Sequence, residues 1–154
     1  QTGLLAAADF QTLPAASFDA ISLWHVLEHV HELHPYMEQL KKLLKPTGKL
    51  FIAVPNYTSY DGMKYQENWA AYDVPRHLYH FSPASMKYLL EAAGFRLLRM
   101  EPMWFDSFYI SLLSEKYETG HTSIHKGFLA GAISNFKTLR DKERCSSLIY
   151  VAGK

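Results

Sequence analysis

Cysteine is almost absent: Cys145 is the only one in 154 residues. No internal disulfide can form, so a reducing setting such as the cytoplasm is expected. No apolar run reaches the roughly 18 residues of a spanning helix, and no signal-peptide pattern opens the chain. Charge of one sign is missing too. The 16 Lys and Arg nearly cancel the 15 Asp and Glu, leaving a formal net charge of +1. Neither nucleic acid nor a membrane surface is therefore expected as an electrostatic partner. The chain opens at Gln1 rather than Met, so a piece of a longer protein, or a processed one, is expected.

What is present suits one soluble domain spanning residues 1–154. Hydrophobic residues make up 48% and charged residues 20%, ordinary for a globular core. Residues 1–8 suggest a weak strand. Residues 20–24 are apolar apart from Ser22, as in a strand covered on both faces. A helix is expected over 35–45, where Tyr36, Met37, Leu40, Leu43 and Leu44 form one stripe. The Lys45-Pro46-Thr47-Gly48 run ends it. A second strand follows over 49–54, giving a parallel strand–helix–strand unit.

Residues 55–81 have little apolar periodicity but many aromatics, which favours an ordered lid or substrate loop over disorder. Ser82 and Pro83 then mark a helix start, as N-cap and first helical residue. Met86, Leu89, Leu90 and Ala93 form its apolar face, and Gly94 suits its end. A third strand is read over 95–100. Phe108, Tyr109, Leu112, Leu113 and Tyr117 predict a helix that Asp106 caps. Another helix is expected over 124–139, weakened by Gly127 and Gly131. A charged turn at 140–144 leads to a last strand over 146–152.

The most suggestive stretch is 18–30. Just past the first strand, His25, Glu28 and His29 fall at i, i+3 and i+4, on one face if the chain turns helical there. Ligands in open α/β sheets sit at the carboxyl ends of strands, so chemistry is expected at this rim.

An ordered set of motifs then carries a resemblance. They are Phe18-Asp19, Val26-Leu27-Glu28-His29-Val30, Leu44-Lys45-Pro46-Thr47-Gly48, Val54-Pro55-Asn56, Asp73-Val74-Pro75-Arg76-His77-Leu78-Tyr79-His80-Phe81-Ser82 and Ala93-Gly94-Phe95. Together they resemble the C-terminal part of a class I S-adenosylmethionine-dependent methyltransferase. The run from Pro75 to Ser82 looks like a bacterial branch of that superfamily. The Leu27-Glu28-His29 piece is similar to O-methyltransferases of quinone biosynthesis. The resemblance implies an α/β fold: a partial Rossmann-like sheet holding strands four to seven of seven. The last strand would insert antiparallel between the second and third strands of this chain. The sequence departs from the family in one respect. No Gly-x-Gly-x-x-Gly occurs, and glycine there lets backbone approach the cofactor. The chain alone is expected to bind cofactor poorly and to be inactive.

By resemblance, S-adenosylmethionine is the cofactor, with Asp9 and Phe10 facing its adenine and Trp24 its methionine part. Methyl transfer needs positioning and, for some acceptors, a base. His25, His29 and His77 are the catalytic candidates. Asn56, Trp69, Arg76 and His80 are assigned to a small-molecule, sugar or lipid-linked acceptor. Arg76 would clamp an anionic group or form an ion pair with Asp73.

Two other readings compete. His25-Val26-Leu27-Glu28-His29 spells H-x-x-E-H, a zinc-peptidase motif, so a metal-dependent hydrolase is an alternative. In quinone-type relatives a similar trio is associated with a divalent ion, but no metal ligand is assigned here. The other reading is a non-catalytic assembly domain. Loss of the strand beside 20–24 would leave an open edge inviting self-association.

Overall fold

The computed structural model describes residues 10–121 and 123–154. The expected strand at 1–8, and Asp9, lie outside them. Four strands form one sheet in the order β1-β2-β4-β3. They are β1 (Phe18–Trp24), β2 (Leu44–Pro55), β3 (Arg96–Pro102) and β4 (Ser147–Gly153). β1 runs parallel to β2, with Ala20 opposite Lys49 and Trp24 opposite Ala53. β4 enters antiparallel to both of its neighbours, as the resemblance implied.

Helix α1 (Leu33–Leu43) connects β1 to β2 and buries Met37, Leu40 and Leu43. It begins earlier than Pro35. β2 starts at Leu44 directly where the helix stops, so the Lys45–Gly48 run is already extended. The β-rich core gathers Leu23, Leu27, Leu44, Leu50, Ile52, Val54, Leu148 and Tyr150 with Met86, Leu90 and Phe95. Each such fully buried side chain contributes about 1.5–3 kcal/mol.

β1 differs from expectation. Only Leu23 in it is buried, and Trp24 is 51% exposed. Among the described residues it is an edge strand rather than one covered on both faces. The apolar run is the signature of a central strand, but among the described residues β2 is its sole partner.

The stretch 55–81 is also more built than its periodicity implied. It folds into α2 (Tyr60–Tyr65) and two 3-10 turns, Gln66–Asn68 and Ala70–Tyr72. Ser59 caps α2 by accepting from the Gly62 N–H at 3.0 Å. Asp61 is buried and accepts from Trp69 Nε1 (2.8 Å), Ser134 Oγ (2.8 Å) and Ser146 Oγ (2.6 Å). One carboxylate thus ties the segment to a later helix and to the lead-in of β4.

α3 (Pro83–Ala92) carries the expected cap. The Ser82 hydroxyl accepts from the Ser85 N–H, the Ser85 hydroxyl accepts in return from the Ser82 N–H, and Pro83 stands in the first turn. Gly94 follows at φ 73°, a left-handed position that disfavours a side chain.

α4 (Asp106–Thr119) and α5 (Ile124–Thr138) form a hairpin between β3 and β4. Here the buried face overlaps the expected stripe only in part: Phe108 and Leu112 are half-buried against α5, and Leu113 against the segment 65–72. α4 buries Ser107, Ile110, Ser111, Ser114 and Glu115, while Tyr109 and Tyr117 face outward. The small serines allow a close approach and serve as hydrogen-bond partners. Ser114 Oγ accepts the Ala70 N–H at 2.9 Å, and Glu115 Oε1 accepts Tyr65 Oη–H at 2.9 Å and pairs with Lys64 at 3.0 Å. Polar satisfaction joins α4 to the 55–81 segment alongside an apolar cluster of Ile110 and Leu113 with Tyr65, Trp69, Ala70 and Ala71.

Candidate functional site at the carboxyl ends of β1 and β2

A left-handed residue opens the site. His25, the first after β1, has φ 52°, a conformation uncommon outside glycine that often marks a functional turn. The chain then makes only a 3-10 turn, Leu27–His29. Of the turn or short helix expected there, the turn forms, and no helix puts His25, Glu28 and His29 on one face.

The turn separates the two histidines. His25 Nε2 reaches Asp106 Oδ2 at 3.0 Å, and its Nδ1 lies 3.3 Å from Glu28 Oε1. The contact with Asp106, then that with Glu28, raises the His25 pKa from 6.5 to about 9 against the opposing effect of burial. His25 is therefore imidazolium at neutral pH and has no lone pair for base work. His29 instead donates from Nδ1 to the Arg76 carbonyl at 2.9 Å. The H-x-x-E-H trio is not assembled as a hydrolase needs it.

A cavity of about 340 Å³ lies beside this turn, lined by His25, Asp73, Arg76, His77, Asp106 and Tyr109 among others. That volume is within the range of small-molecule sites. Its far wall is the α4 helix, so the hairpin closes the space over the strand ends. His77 is mostly buried here and donates from Nδ1 to the Ala71 carbonyl at 2.8 Å. In the neutral ring that bond leaves Nε2 as the acceptor atom. Arg76 pairs with Asp73 at 2.7 Å yet keeps most of its side chain exposed. It is held by its neighbour and can still meet an anionic group.

The remaining residues expected to contact substrate are placed elsewhere. Asn56 is buried, and both ends of its amide are engaged. Nδ2 donates to the carbonyls of Glu143 (2.8 Å) and Cys145 (3.0 Å), and Oδ1 accepts from Thr58 N–H and Oγ–H. Trp69 is buried with its indole N–H on Asp61. Both hold the lid segment together rather than face a ligand. His80 donates from Nε2 to the Tyr72 carbonyl at 2.9 Å and packs edge-on against the Tyr72 ring. Sequence reading missed Asp106 as an ionic partner, because a helix-start aspartate carries no mark of a distant histidine.

Comparison with known proteins identifies the framework. Residues 4–99 match a family model described as a methyltransferase domain. The chain belongs to that family. None of the curated proteins compared matches the sequence, but solved structures share its fold. A SAM-dependent methyltransferase from Archaeoglobus fulgidus is 18% identical, with TM-score 0.56, over 96% of this chain and 64% of that one. A methyltransferase in complex with the Haloferax volcanii Trm112 activator is 16% identical, with TM-score 0.60, over 94% and 58%. Haemonchus contortus phosphoethanolamine N-methyltransferase 2, in complex with S-adenosyl-L-methionine, is 16% identical, with TM-score 0.50, over 91% and 34%. This chain thus spans less than two thirds of the length of each.

The rim at the end of β1, which the resemblance assigns to the cofactor's methionine part, is open to solvent. Trp24 leaves its ring free at the carboxyl end of β1, with Val26 exposed beside it. The half-buried Phe10 stacks on Tyr36 with centroids 5.0 Å apart, and its carbonyl accepts from Gln39.

Proposed function

We propose that this chain is the C-terminal, acceptor-side portion of an S-adenosylmethionine-dependent methyltransferase domain. The observation that carries the reading is the cavity at the carboxyl ends of β1 and β2, walled by ionisable side chains and closed by α4. Strand ends are where an open α/β sheet binds its ligands. The family match and the shared fold support the same activity class.

When bound, S-adenosylmethionine supplies an electrophilic sulfonium methyl. Trp24 covers the methionine side of the cofactor at the rim. The His25–Asp106 pair fixes α4 over the strand ends. Arg76, held by Asp73, meets an anionic part of a small-molecule, sugar or lipid-linked acceptor. His77 presents Nε2 to the acceptor's nucleophilic atom, because Nδ1 is committed to the Ala71 carbonyl.

The test uses the chain together with any sequence preceding it in its gene. Calorimetry should show S-adenosylhomocysteine binding, weakened by Trp24→Ala. Arg76→Ala should weaken acceptor binding and leave cofactor affinity unchanged. Failure of that protein to bind S-adenosylhomocysteine would refute the reading.

A further inference from the structure

Helix α5 has its large and small residues reversed. Its buried face is made of Gly127, Ala130, Gly131, Ser134 and Thr138, and the two glycines lie against the α4 backbone at Leu112 and Phe108. The large apolar side chains point to solvent instead. Ile124, Phe128, Leu129, Ile133, Phe136 and the capping Leu139 run from 47% exposed at Ile133 to 68% at Leu139. A surface helix of a globular protein carries polar residues on that side, and an exposed apolar patch of this kind marks an interaction site. The Phe128 ring stacks on Phe108 with centroids 4.9 Å apart, so the apolar face continues onto α4.

The charge around this face has one sign. Residues 119–140 contain Lys126, Lys137 and Arg140 and no Asp or Glu. The near-balanced charge of the whole chain averages this segment with acidic ones elsewhere. Lys126 and Lys137 stand about three turns apart and so share one flank of the helix, and both are exposed. Among the described residues, the Lys and Arg side chains in ion pairs are Lys45, Lys64, Arg76, Lys87 and Arg99, all outside this segment. Lys137 and Arg140 lie instead over the rings of Tyr60 and Phe136.

We infer that α5 is an interfacial helix that docks this protein on an anionic phospholipid surface. An apolar face flanked by lysine and arginine is the pattern of a helix lying in the headgroup plane, with its apolar side chains sunk about 5–10 Å. The 15 residues of α5 extend about 22 Å, short of the roughly 30 Å hydrocarbon core. No described helix is long and apolar enough to cross a membrane, so α5 lies on the bilayer. Lysine stems reach headgroup phosphates while Phe and Leu enter the acyl boundary. Charge selects this occupant over a second copy of the chain. A two-fold contact sets the same patch against itself, and this one has cations and no anion to meet its own image. The inference does not rest on the cofactor reading. Its consequence for that reading is positional: α5 packs on α4, whose Tyr109 and Tyr117 line the cavity, so docking brings that wall to the bilayer.

The test is flotation with lipid vesicles, using the protein expressed with any sequence preceding it in its gene. Vesicles of phosphatidylcholine mixed with phosphatidylglycerol should carry the protein. Each basic residue near an anionic surface contributes about fivefold, so pure phosphatidylcholine should bind about 100-fold more weakly. Lys126→Gln combined with Arg140→Gln should weaken binding to the mixed vesicles by roughly 25-fold. Phe136→Glu sets a charge in the apolar face and should abolish flotation. These positions are exposed, so circular dichroism and the urea midpoint should stay those of the parent. Lys42→Gln combined with Lys87→Gln makes the same charge change on α1 and α3 and should leave binding unchanged. Binding to neither vesicle overturns the proposal, as does equal binding to both or an equal loss in the α1 and α3 control. Copies that associate in light scattering and that Phe136→Glu separates, with no vesicle binding, overturn it in favour of a face between copies.

Discussion

His25 Nε2 and Asp106 Oδ2 stand 3.0 Å apart and join the end of β1 to the start of α4. This pair fixes the distance between sheet edge and helical hairpin, and so the width of the cavity between them. Its electrostatics make a pH prediction. A histidine whose folded pKa is raised, here from 6.5 to about 9, adds stability that is fully present below its unfolded value. That stability is lost as pH rises through the folded value. Denaturant midpoints of the chain should fall between about pH 6.5 and about pH 9. Asp106→Asn removes the larger cause of the shift, so the decline should flatten and the His25 ring should titrate nearer 6.5 by NMR. An unchanged decline in Asp106→Asn would show that the pair does not set the proton.

Asp61 gives a stability prediction. Its carboxylate serves Trp69, Ser134 and Ser146, and all four residues are buried. Asp61→Ala leaves three donors without an acceptor and opens space between α2, α5 and the lead-in to β4. Breaking a buried polar network is one of the mechanisms that give large losses, so about 3 kcal/mol or more is expected. Asp61→Asn keeps the shape and should cost less. Urea unfolding checks both, and a loss below about 1 kcal/mol in the alanine variant would contradict the account.

These two aspartates show where sequence reading stops. Strand and helix positions were legible from local periodicity, as Ser82 with Pro83 at α3 and the 146–152 run at β4 illustrate. Placing β4 between β2 and β3 came from the resemblance, because register across a sheet has no local signature. The buried face of α4 was legible only in part, because much of its contact is made by serines and Glu115, which periodicity counts as polar surface. Asn56 and Trp69 looked like ligand contacts because their partners, Cys145 and Asp61, are visible only once the chain is folded. At the site, the His25–His29 spacing was plain, but the positive φ at His25 was not. That one dihedral sends His25 to Asp106 and leaves Glu28 and His29 to meet His77.

The open edge of β1 bears on assembly. Ala20, Ser22 and Trp24 are exposed on a strand paired on one side only among the described residues. Unpaired edges template pairing with another chain. We expect the 154-residue chain to self-associate with rising concentration in static light scattering. Ala20→Lys should shift it toward monomer, since an added lysine is a natural edge-blunting device. A strictly monomeric parent chain at high concentration would rule this out.

The α4–α5 contact rests on glycine where helix propensity alone would place alanine. A Cβ at Gly131 would lie 2.8 Å from Phe108 Cα and 3.0 Å from its backbone nitrogen, and one at Gly127 would lie 2.7 Å from Leu112 Cα. Both obstacles are backbone, so a rotamer change cannot relieve them. Two effects oppose each other in Gly131→Ala. Alanine gains about 1 kcal/mol of helix propensity, whereas overpacking costs about 1–3 kcal/mol and more when backbone must move. The steric term should win. The variant is expected to unfold at lower denaturant concentration while its far-UV circular dichroism stays helical. Because α4 carries Asp106, separating the helices should also lengthen the His25–Asp106 contact and bring the His25 pKa down from about 9. A Gly131→Ala protein that is more stable than the parent would mean that the hairpin yields, and that its glycines serve the helix rather than the interface.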